Sequence, residues 1–181
     1  MLRVIVESTN PYKIMVGEAW ALLPAGVRRS HTPPLTATGT MQIIGAHSGF
    51  GRLMARLMKL PPAGERLAAS LHVVHRGNVV IWSRCFGTLR LSSAQVVRKS
   101  SFVERAGPFG FVIQPVAAMD ALIFRQVGFR VFGLPFPQWL GPRIQGKVAS
   151  GASDTSWDVD VTIDSRLGGC LCRYFGTMTA Q

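Results

Sequence analysis

Acidic residues and cysteines are scarce in this sequence. Nine Asp and Glu residues stand against twenty Lys and Arg in 181 residues, which gives a formal net charge of +11. The three cysteines, Cys85, Cys170 and Cys172, are too few and odd in number for a disulfide scaffold, and they favour a reducing, cytoplasmic location. The apolar runs all end well before the roughly eighteen residues of a membrane-spanning helix, so no transmembrane segment is predicted.

The excess of positive charge is spread along the chain. Seven of the basic residues lie in residues 1–60 and thirteen in the remainder, and no basic run is longer than Arg28–Arg29 or Arg98–Lys99. Proteins that bind nucleic acid usually gather such residues into one patch or stripe. The pattern therefore favours a dispersed, solvated charge and argues against nucleic acid as a partner.

The proportion of apolar residues predicts a folded core. Hydrophobic residues make up 48% of the chain and charged residues 16%, which excludes a disordered protein. A length of 181 residues suits a single domain, and we expect residues 1–181 to form one. Residues 9–62 have a helical and mixed character, whereas residues 66–180 show the alternation of an antiparallel β region.

Two short helices are predicted in the N-terminal segment. The first is capped by Thr9 or Asn10, has Pro11 at its first position and ends before Pro24, and the following "VRRSHTPP" reads as a solvated loop. The second follows Ser48, which we interpret as its cap. Its apolar stripe has helical spacing and predicts packing against the core: Phe50, Leu53, Met54, Leu57 and Leu60.

From residue 66 the hydrophobic period changes to two. Gly77–Asn78 separates two alternating runs, as a hairpin turn does, and further short runs follow at regular intervals. No helix-length segment separates these runs, so the strands should be antiparallel. We therefore predict an α+β fold in which about eight strands form a strongly curved antiparallel sheet or barrel. Such a barrel encloses space for side chains or one small ligand.

Charged residues in phase with aromatic ones mark the candidate site. Arg84 alternates with Trp82 and Phe86, and Glu104 is in phase with Phe102. Charges that face an apolar interior are costly unless they are paired or functional. Glu104 and Arg84 are therefore the candidate catalytic residues, and structural ion pairs are the alternative interpretation. We predict a ligand pocket lined by Trp82, Phe86, Phe102, Arg125, Phe136 and Trp139.

The stretch "GLPFPQWLGPR", residues 133–143, is predicted to connect two strands. Its three prolines and two glycines suit neither a helix nor a strand interior, and the prolines stiffen it as an extended segment. Phe136, Trp139 and Leu140 then have two possible roles. They plug the end of the barrel, which is the preferred interpretation, or they form the lip of its pocket.

No metal or nucleophile site is predicted. Cys170 and Cys172 are separated by one residue, which is not the usual zinc-ligand spacing, and they read as small apolar core residues. No Gly-x-Ser-x-Gly elbow is present. The segment "GFGRLM" lacks the spacing of a dinucleotide-binding loop, so the chain is predicted to bind no cofactor.

Five segments, in order, carry a family resemblance: "LMARLMKLPPAGE", "IWSRCFG", "FVERAGPFGF", "GLPFPQWLGPR" and "WDVDVTID". Together they resemble the bacterial domain-of-unknown-function family 4166, over about residues 19–174. The resemblance implies a domain found alone or C-terminal to a saccharopine-dehydrogenase-like NAD(P)-binding domain. It implies no activity, cofactor or catalytic set, and a separate dehydrogenase enters only as a possible partner.

Three functions fit these observations. The first is binding of an apolar, lipid-like or polyketide-like molecule in the barrel, suggested by ten Phe, four Trp and seven Met with few polar anchors. The second is a cofactor-independent isomerase, cyclase or lyase that uses the same pocket, with Glu104 as acid or base and Arg84 orienting a substrate oxygen. The third is an accessory module that docks on an oxidoreductase through its positive surface.

Overall fold

A closed barrel of ten antiparallel strands forms the centre of the protein, whose computed structural model describes residues 10–181. An eleventh strand, β8, pairs only with the outer edge of β7. The strands are β1 (Leu35–Gly45), β2 (Gly64–Arg76), β3 (Val79–Phe86), β4 (Leu89–Val97), β5 (Phe102–Ala106), β6 (Phe109–Ala118), β7 (Ala121–Val131), β8 (Leu134–Phe136), β9 (Arg143–Ser150), β10 (Ser156–Ser165) and β11 (Gly169–Ala180).

The barrel has an up-and-down order. Strands β1 to β7 are sequential neighbours, β7 pairs with β9, and β11 closes the ring on β1. The antiparallel, closed sheet that the sequence predicted is therefore present, but it has ten strands instead of about eight. One strand of the ring, β1, lies before residue 66 and therefore outside the predicted antiparallel β region. The Gly77–Asn78 turn is confirmed, with Gly77 at a φ of 61°.

Alternating strand directions give the barrel two distinct ends. The connections β1–β2, β3–β4, β5–β6, β7–β9 and β10–β11 meet at one end. We call it the α3 end, because helix α3 (Gly49–Leu57) lies in the first of these connections. The N-terminal helices precede β1 at the opposite end, which we call the plugged end.

The plug consists of α1 (Pro11–Val16), a 3-10 helix (Gly17–Leu22) and α2 (Ala25–Ser30). Asn10 caps α1 as predicted, whereas Thr9 lies outside the described residues. Tyr12 and Val27 are completely buried, so the barrel is closed on this side.

The predicted loop at residues 27–34 was partly wrong, because α2 runs to Ser30. A Cβ at Gly26 would lie 2.2 Å from the carbonyl oxygen of Ser156. Close packing on β10 therefore stabilises a helix that the local sequence does not predict. Tertiary contact here overrides local propensity.

Helix α3 corrects a second prediction. Ser48 caps it as expected, and its hydroxyl accepts a hydrogen bond from Gly51 N at 2.9 Å. The apolar stripe, however, packs on the core only through Met54 and Leu60, whereas Phe50, Leu53 and Leu57 are 45%, 54% and 61% exposed. The buried Gly51 also lies against the barrel, and the three exposed side chains of the stripe are left in solvent. No helix within residues 10–181 has the length and apolar character needed to cross a bilayer.

The fold concentrates charge that is dispersed in the sequence. Outside the cavity, nine basic residues lie in the connections of the α3 end or within two residues of the strand ends there: Arg52, Arg56, Lys59, Arg66, Arg90, Arg105, Arg130, Arg143 and Arg166. Glu65 and Asp164 are the acidic residues in the same region. By the same criterion the plugged end has six basic and four acidic residues, so the α3 end carries most of the positive excess.

Candidate functional site

The barrel encloses a cavity of about 160 Å³. Its wall is mostly apolar and includes side chains from β1 to β7 and from β9 to β11, together with Met58, Leu60 and Pro61, which follow α3. Because fully buried side chains close the plugged end, we infer that the entrance of the cavity lies at the α3 end. Its polar groups include five side chains: His31, Arg84, Ser93, Gln95 and Glu104.

A connected set of hydrogen bonds runs along the β3–β5 wall. Arg84 Nη1 donates to Ser93 Oγ at 2.9 Å, and Ser93 Oγ donates to Glu104 Oε1 at 2.7 Å. Gln95 Nε2 donates to the other carboxylate oxygen, Glu104 Oε2, at 3.3 Å. Arg84 Nη2 lies 3.5 Å from Glu104 Oε1, so the two charges also form an ion pair within the barrel.

Strand register explains why these side chains meet. Trp82 on β3 pairs with Ser93 on β4, and Gln95 on β4 pairs with Glu104 on β5. Residues directly opposite on neighbouring strands point to the same face of a sheet. Arg84 lies one inward position beyond Trp82, with its guanidinium carbon 5.0 Å from the centre of the indole ring.

Tyr12 connects the plug to this polar wall. Its hydroxyl donates to Gln95 Oε1 and accepts a hydrogen bond from Trp82 Nε1 at 2.9 Å. Burial raises the pKa of the Tyr12 phenol far above its usual value, so the group stays protonated and serves as a hydrogen-bond donor. Helix α1 thereby orients the two side chains that form the inner end of the cavity.

His31 is a buried, neutral base in the cavity wall. Burial, reinforced by the positive charge of Arg84, lowers the pKa of the imidazole to about 3. Ser30 Oγ donates its single proton to Val27 O at 2.7 Å and lies 2.7 Å from His31 Nδ1. The hydroxyl must therefore accept from Nδ1–H, which leaves a lone pair on Nε2.

Sequence reasoning missed His31, because its polar neighbours predict a solvated loop. The imidazole packs instead among three aromatic rings, with centroid distances of 4.8 Å to Tyr12, 5.2 Å to Trp82 and 5.0 Å to Phe124. The "VRRSHTPP" context gives no sign of this burial. The position follows from α2, which turns the chain back across the barrel end before β1 begins.

The predicted site residues divide into two groups. Trp82, Arg84, Phe86, Phe102 and Glu104 all line the cavity. The other three predicted ligand contacts, Arg125, Phe136 and Trp139, do not.

Arg125 lies outside the barrel cavity. Leu122 is completely buried and Phe124 lines the cavity, so Arg125 faces outward and is exposed. Strand β7 carries apolar residues on both faces, because Ile123 and Val127 lie on the outer face with Arg125. Alternation therefore could not identify its inner face.

Phe136 and Trp139 also lie outside the barrel cavity. Phe136 belongs to the outer strand β8 and packs edge-on against Phe129, at a centroid distance of 6.0 Å. Trp139 is 58% exposed. The segment contacts the barrel through Gly141, where a Cβ would lie 2.4 Å from the Phe129 ring. It thus packs behind Phe129 and leaves Phe136, Trp139 and Leu140 facing solvent, so these side chains do not plug the barrel. Their role at the lip of the pocket stays a prediction.

Comparison with known proteins identifies the family. Residues 23–178 match the family described as Domain of unknown function (DUF4166). The chain belongs to the DUF4166 family. No curated protein sequence shows significant similarity to it.

A solved structure shows the same kind of fold as this DUF4166 chain. It is a protein of unknown function from the DUF3598 family of Nostoc punctiforme, with a TM-score of 0.52 and 10% sequence identity. The alignment covers 82% of this chain and 48% of that protein, so the chain spans about half of its length. A conserved protein of unknown function with a hot dog fold from Alicyclobacillus acidocaldarius aligns over 96% of this chain and 90% of its own, at 11% identity and a TM-score of 0.22.

The DUF4166 site combines three kinds of chemical group. Arg84 supplies hydrogen-bond donors, Glu104 supplies an acceptor, and His31 Nε2 supplies a neutral base. Arg84 and Glu104 have side-chain exposures of only 16% and 18%. Electrostatic interactions are stronger in such a setting than in bulk water. The arrangement can hold one polar group of a molecule whose remainder contacts the apolar wall.

Proposed function

We propose that the barrel binds a small, mainly apolar molecule that carries one uncharged polar group. The observation that supports this proposal is the cavity itself, an apolar chamber with its hydrogen-bonding groups on one wall. Ligand sites usually have this composition, in which apolar contacts supply affinity and a few polar groups fix orientation.

The volume limits the ligand in the conformation described. An engineered apolar cavity of about 150 Å³ in another protein holds benzene, whereas drug-sized ligands occupy about 300–1,000 Å³. A cavity of about 160 Å³ therefore suits a single ring or a short chain. Met41, Met58 and Met178 line it, and their flexible thioethers permit some expansion toward larger lipid-like or polyketide-like ligands.

The charge balance of the site favours an uncharged polar group. Glu104 already neutralises Arg84, and His31 is neutral at ordinary pH. A ligand carboxylate would lie near the Glu104 carboxylate without a free cation to pair with, which is unfavourable at low dielectric. The oxygen of an alcohol or a ketone, by contrast, can accept a hydrogen bond from Arg84 without a buried charge, and an alcohol can also donate to His31 Nε2.

This preference gives the first prediction. Titration with 1-octanol should change the tryptophan fluorescence, because Trp82 and Trp157 line the cavity. Octanoate, which has the same chain length but a negative charge, should bind at least about tenfold more weakly. Equal or tighter binding of octanoate would contradict the proposed charge preference, and no binding of either probe would contradict the proposed ligand class.

Two adjacent alanines on β2 provide a matched control for the binding site. Ala69 lines the cavity, whereas Ala68 is exposed on the outer face. Ala69→Phe should fill part of the chamber and weaken 1-octanol binding, while Ala68→Phe should leave it unchanged. The same loss in both variants would place the bound alcohol outside the barrel.

A cofactor-independent acid–base enzyme is the second candidate, favoured by the Glu104 carboxylate in the apolar wall. Glu104 would remove a proton from carbon next to a substrate carbonyl and return it, with Arg84 stabilising the oxygen. For a cyclic ketone probe in D₂O, NMR should detect deuterium incorporation that Glu104→Gln slows by at least about a hundredfold. Exchange that is equal in both proteins, or no faster than in buffer, would rule out this role.

A further inference from the structure

The exposed apolar side chains gather at the α3 end of the barrel. Of the thirteen large hydrophobic residues that are exposed in residues 10–181, nine lie there. One group consists of Phe50, Leu53 and Leu57 on α3 with Leu167 in the β10–β11 turn. The other consists of Phe132, Leu134, Phe136, Trp139 and Leu140 between β7 and β9. Concentrated apolar surface of this kind usually marks an interaction site.

The two groups are adjacent around the rim. Helix α3 packs on β11, and Ser48 Oγ donates to the carbonyl of Gly168 at 2.9 Å, which places the turn bearing Leu167 beside the helix. Strand β10 is next in the ring, followed by β9, whose start adjoins the second group. We call this arc the apolar rim. It occupies the end from which the cavity is accessible.

Basic residues accompany the apolar rim. Arg52 and Arg56 are exposed on α3 beside Leu53 and Leu57, and residues 46–63 contain no acidic side chain. The whole end has nine basic residues against two acidic ones outside the cavity. Apolar side chains bordered by arginines are the combination that inserts into the interface of a bilayer with anionic headgroups.

We propose that the α3 end docks on an anionic phospholipid surface through the apolar rim. Leu53, Leu57 and Trp139 enter the interfacial region, where indole rings are favoured, and the surrounding arginines contact lipid phosphates. Docking in this orientation turns the cavity entrance toward the bilayer. The proposal concerns the outer surface and does not depend on which molecule the cavity holds.

Vesicle flotation of the full chain tests the proposal. The protein should float with vesicles of phosphatidylcholine mixed with phosphatidylglycerol, remain in solution with phosphatidylcholine alone, and dissociate at high salt. The double substitution Leu53→Ser and Leu57→Ser should weaken the association at least about tenfold, since it removes two buried apolar contacts from the docked state.

The plugged end provides the control. Leu22 and Met119 are 82% and 95% exposed, so Leu22→Ser with Met119→Ser removes at least as much exposed apolar surface at the opposite end. This variant should float like the unaltered protein. Failure to float with the anionic vesicles, equal flotation with neutral ones, or equal loss in both double variants would overturn the proposal. If the rim binds a protein instead, such as a separate dehydrogenase, the chain should fail to float with the anionic vesicles, which is the first of these results. Circular dichroism confirms that both variants are folded.

Discussion

Replacing Glu104 with leucine is expected to lower the free energy of unfolding by about 3 kcal/mol. The substitution leaves Arg84 as an isolated charge in the cavity wall and removes the acceptor used by Ser93 and Gln95. Breaking one side of a buried ion pair costs more than the pair itself contributes, because the remaining charge is desolvated without a partner. Urea denaturation of both proteins measures the difference.

A double substitution separates this explanation from simple loss of packing. Arg84→Met with Glu104→Leu removes both charges, and we expect it to recover at least half of the lost stability. Asp160→Asn serves as the exposed control. Asp160 forms a bidentate pair with Arg173 at 2.7 and 3.0 Å, but both side chains are more than 40% exposed, so its loss should cost less than about 1 kcal/mol. A double variant as unstable as Glu104→Leu would refute the unpaired-charge explanation.

The alternation of apolar and polar residues predicted which face of a strand points inward wherever only one face is apolar. On β10, Trp157, Val159, Val161 and Ile163 line the cavity while Asp158 and Asp160 face outward, as their order in the sequence indicates. Strand β3 behaves similarly, since Trp82 and Arg84 share the inward face that their spacing indicates. The pattern fails on β7, because both faces of that strand are apolar.

The amphipathic stripe of α3 illustrates a different limit. Helical spacing shows that Phe50, Leu53 and Leu57 share a face, but it does not show what covers that face. The sequence predicted core packing because that is the commonest outcome. In the fold, Gly51 permits close contact with the barrel, Met54 and Leu60 contact the core, and Phe50, Leu53 and Leu57 are left exposed. The spacing of residues within the helix does not show which side of it contacts the barrel.

The polar wall of the site was only partly predictable for a related reason. Arg84 and Glu104 carry a local signal, since each alternates with aromatic residues on its own strand. Tyr12 and His31 do not, because their surroundings come from distant parts of the chain. The hydrogen bonds of Tyr12 reach Trp82 and Gln95, which are 70 and 83 residues away in sequence. Only the closed barrel brings these groups together.

The two proposals use opposite properties of the same barrel end. Inside, the paired charges make the chamber nearly neutral and suit an apolar molecule. Outside, the apolar rim and basic residues that form no ion pair within residues 10–181 suit an anionic bilayer. A protein with both features can take an apolar molecule from a membrane without exposing it to water. The octanol and vesicle experiments test the two features separately, and either proposal can fail alone.

The pH dependence of stability should report the burial of His31. An unfolded histidine has a pKa of about 6.5, whereas burial lowers the pKa of folded His31 to about 3. Below about pH 6.5 the unfolded state therefore binds a proton that the folded state does not, so stability falls as the pH decreases. The loss should be about 1.4 kcal/mol per pH unit and reach about 4–5 kcal/mol near pH 3.

A matched pair of variants isolates this contribution from that of the carboxylates. His31→Asn can retain a donor to Ser30 Oγ but has no titrating group, whereas His72→Asn changes an exposed histidine on β2. Urea denaturation measures the free energy of unfolding between about pH 6.5 and about pH 4. Its slope against pH should correspond to about one proton fewer in His31→Asn, and in that variant only. His72→Asn should follow the unaltered protein. If the two variants had the same slope, folded His31 would have to bind its proton near the ordinary pKa, and Nε2 would then carry a hydrogen within the cavity. The neutral base on which the ligand preference rests would be lost with it.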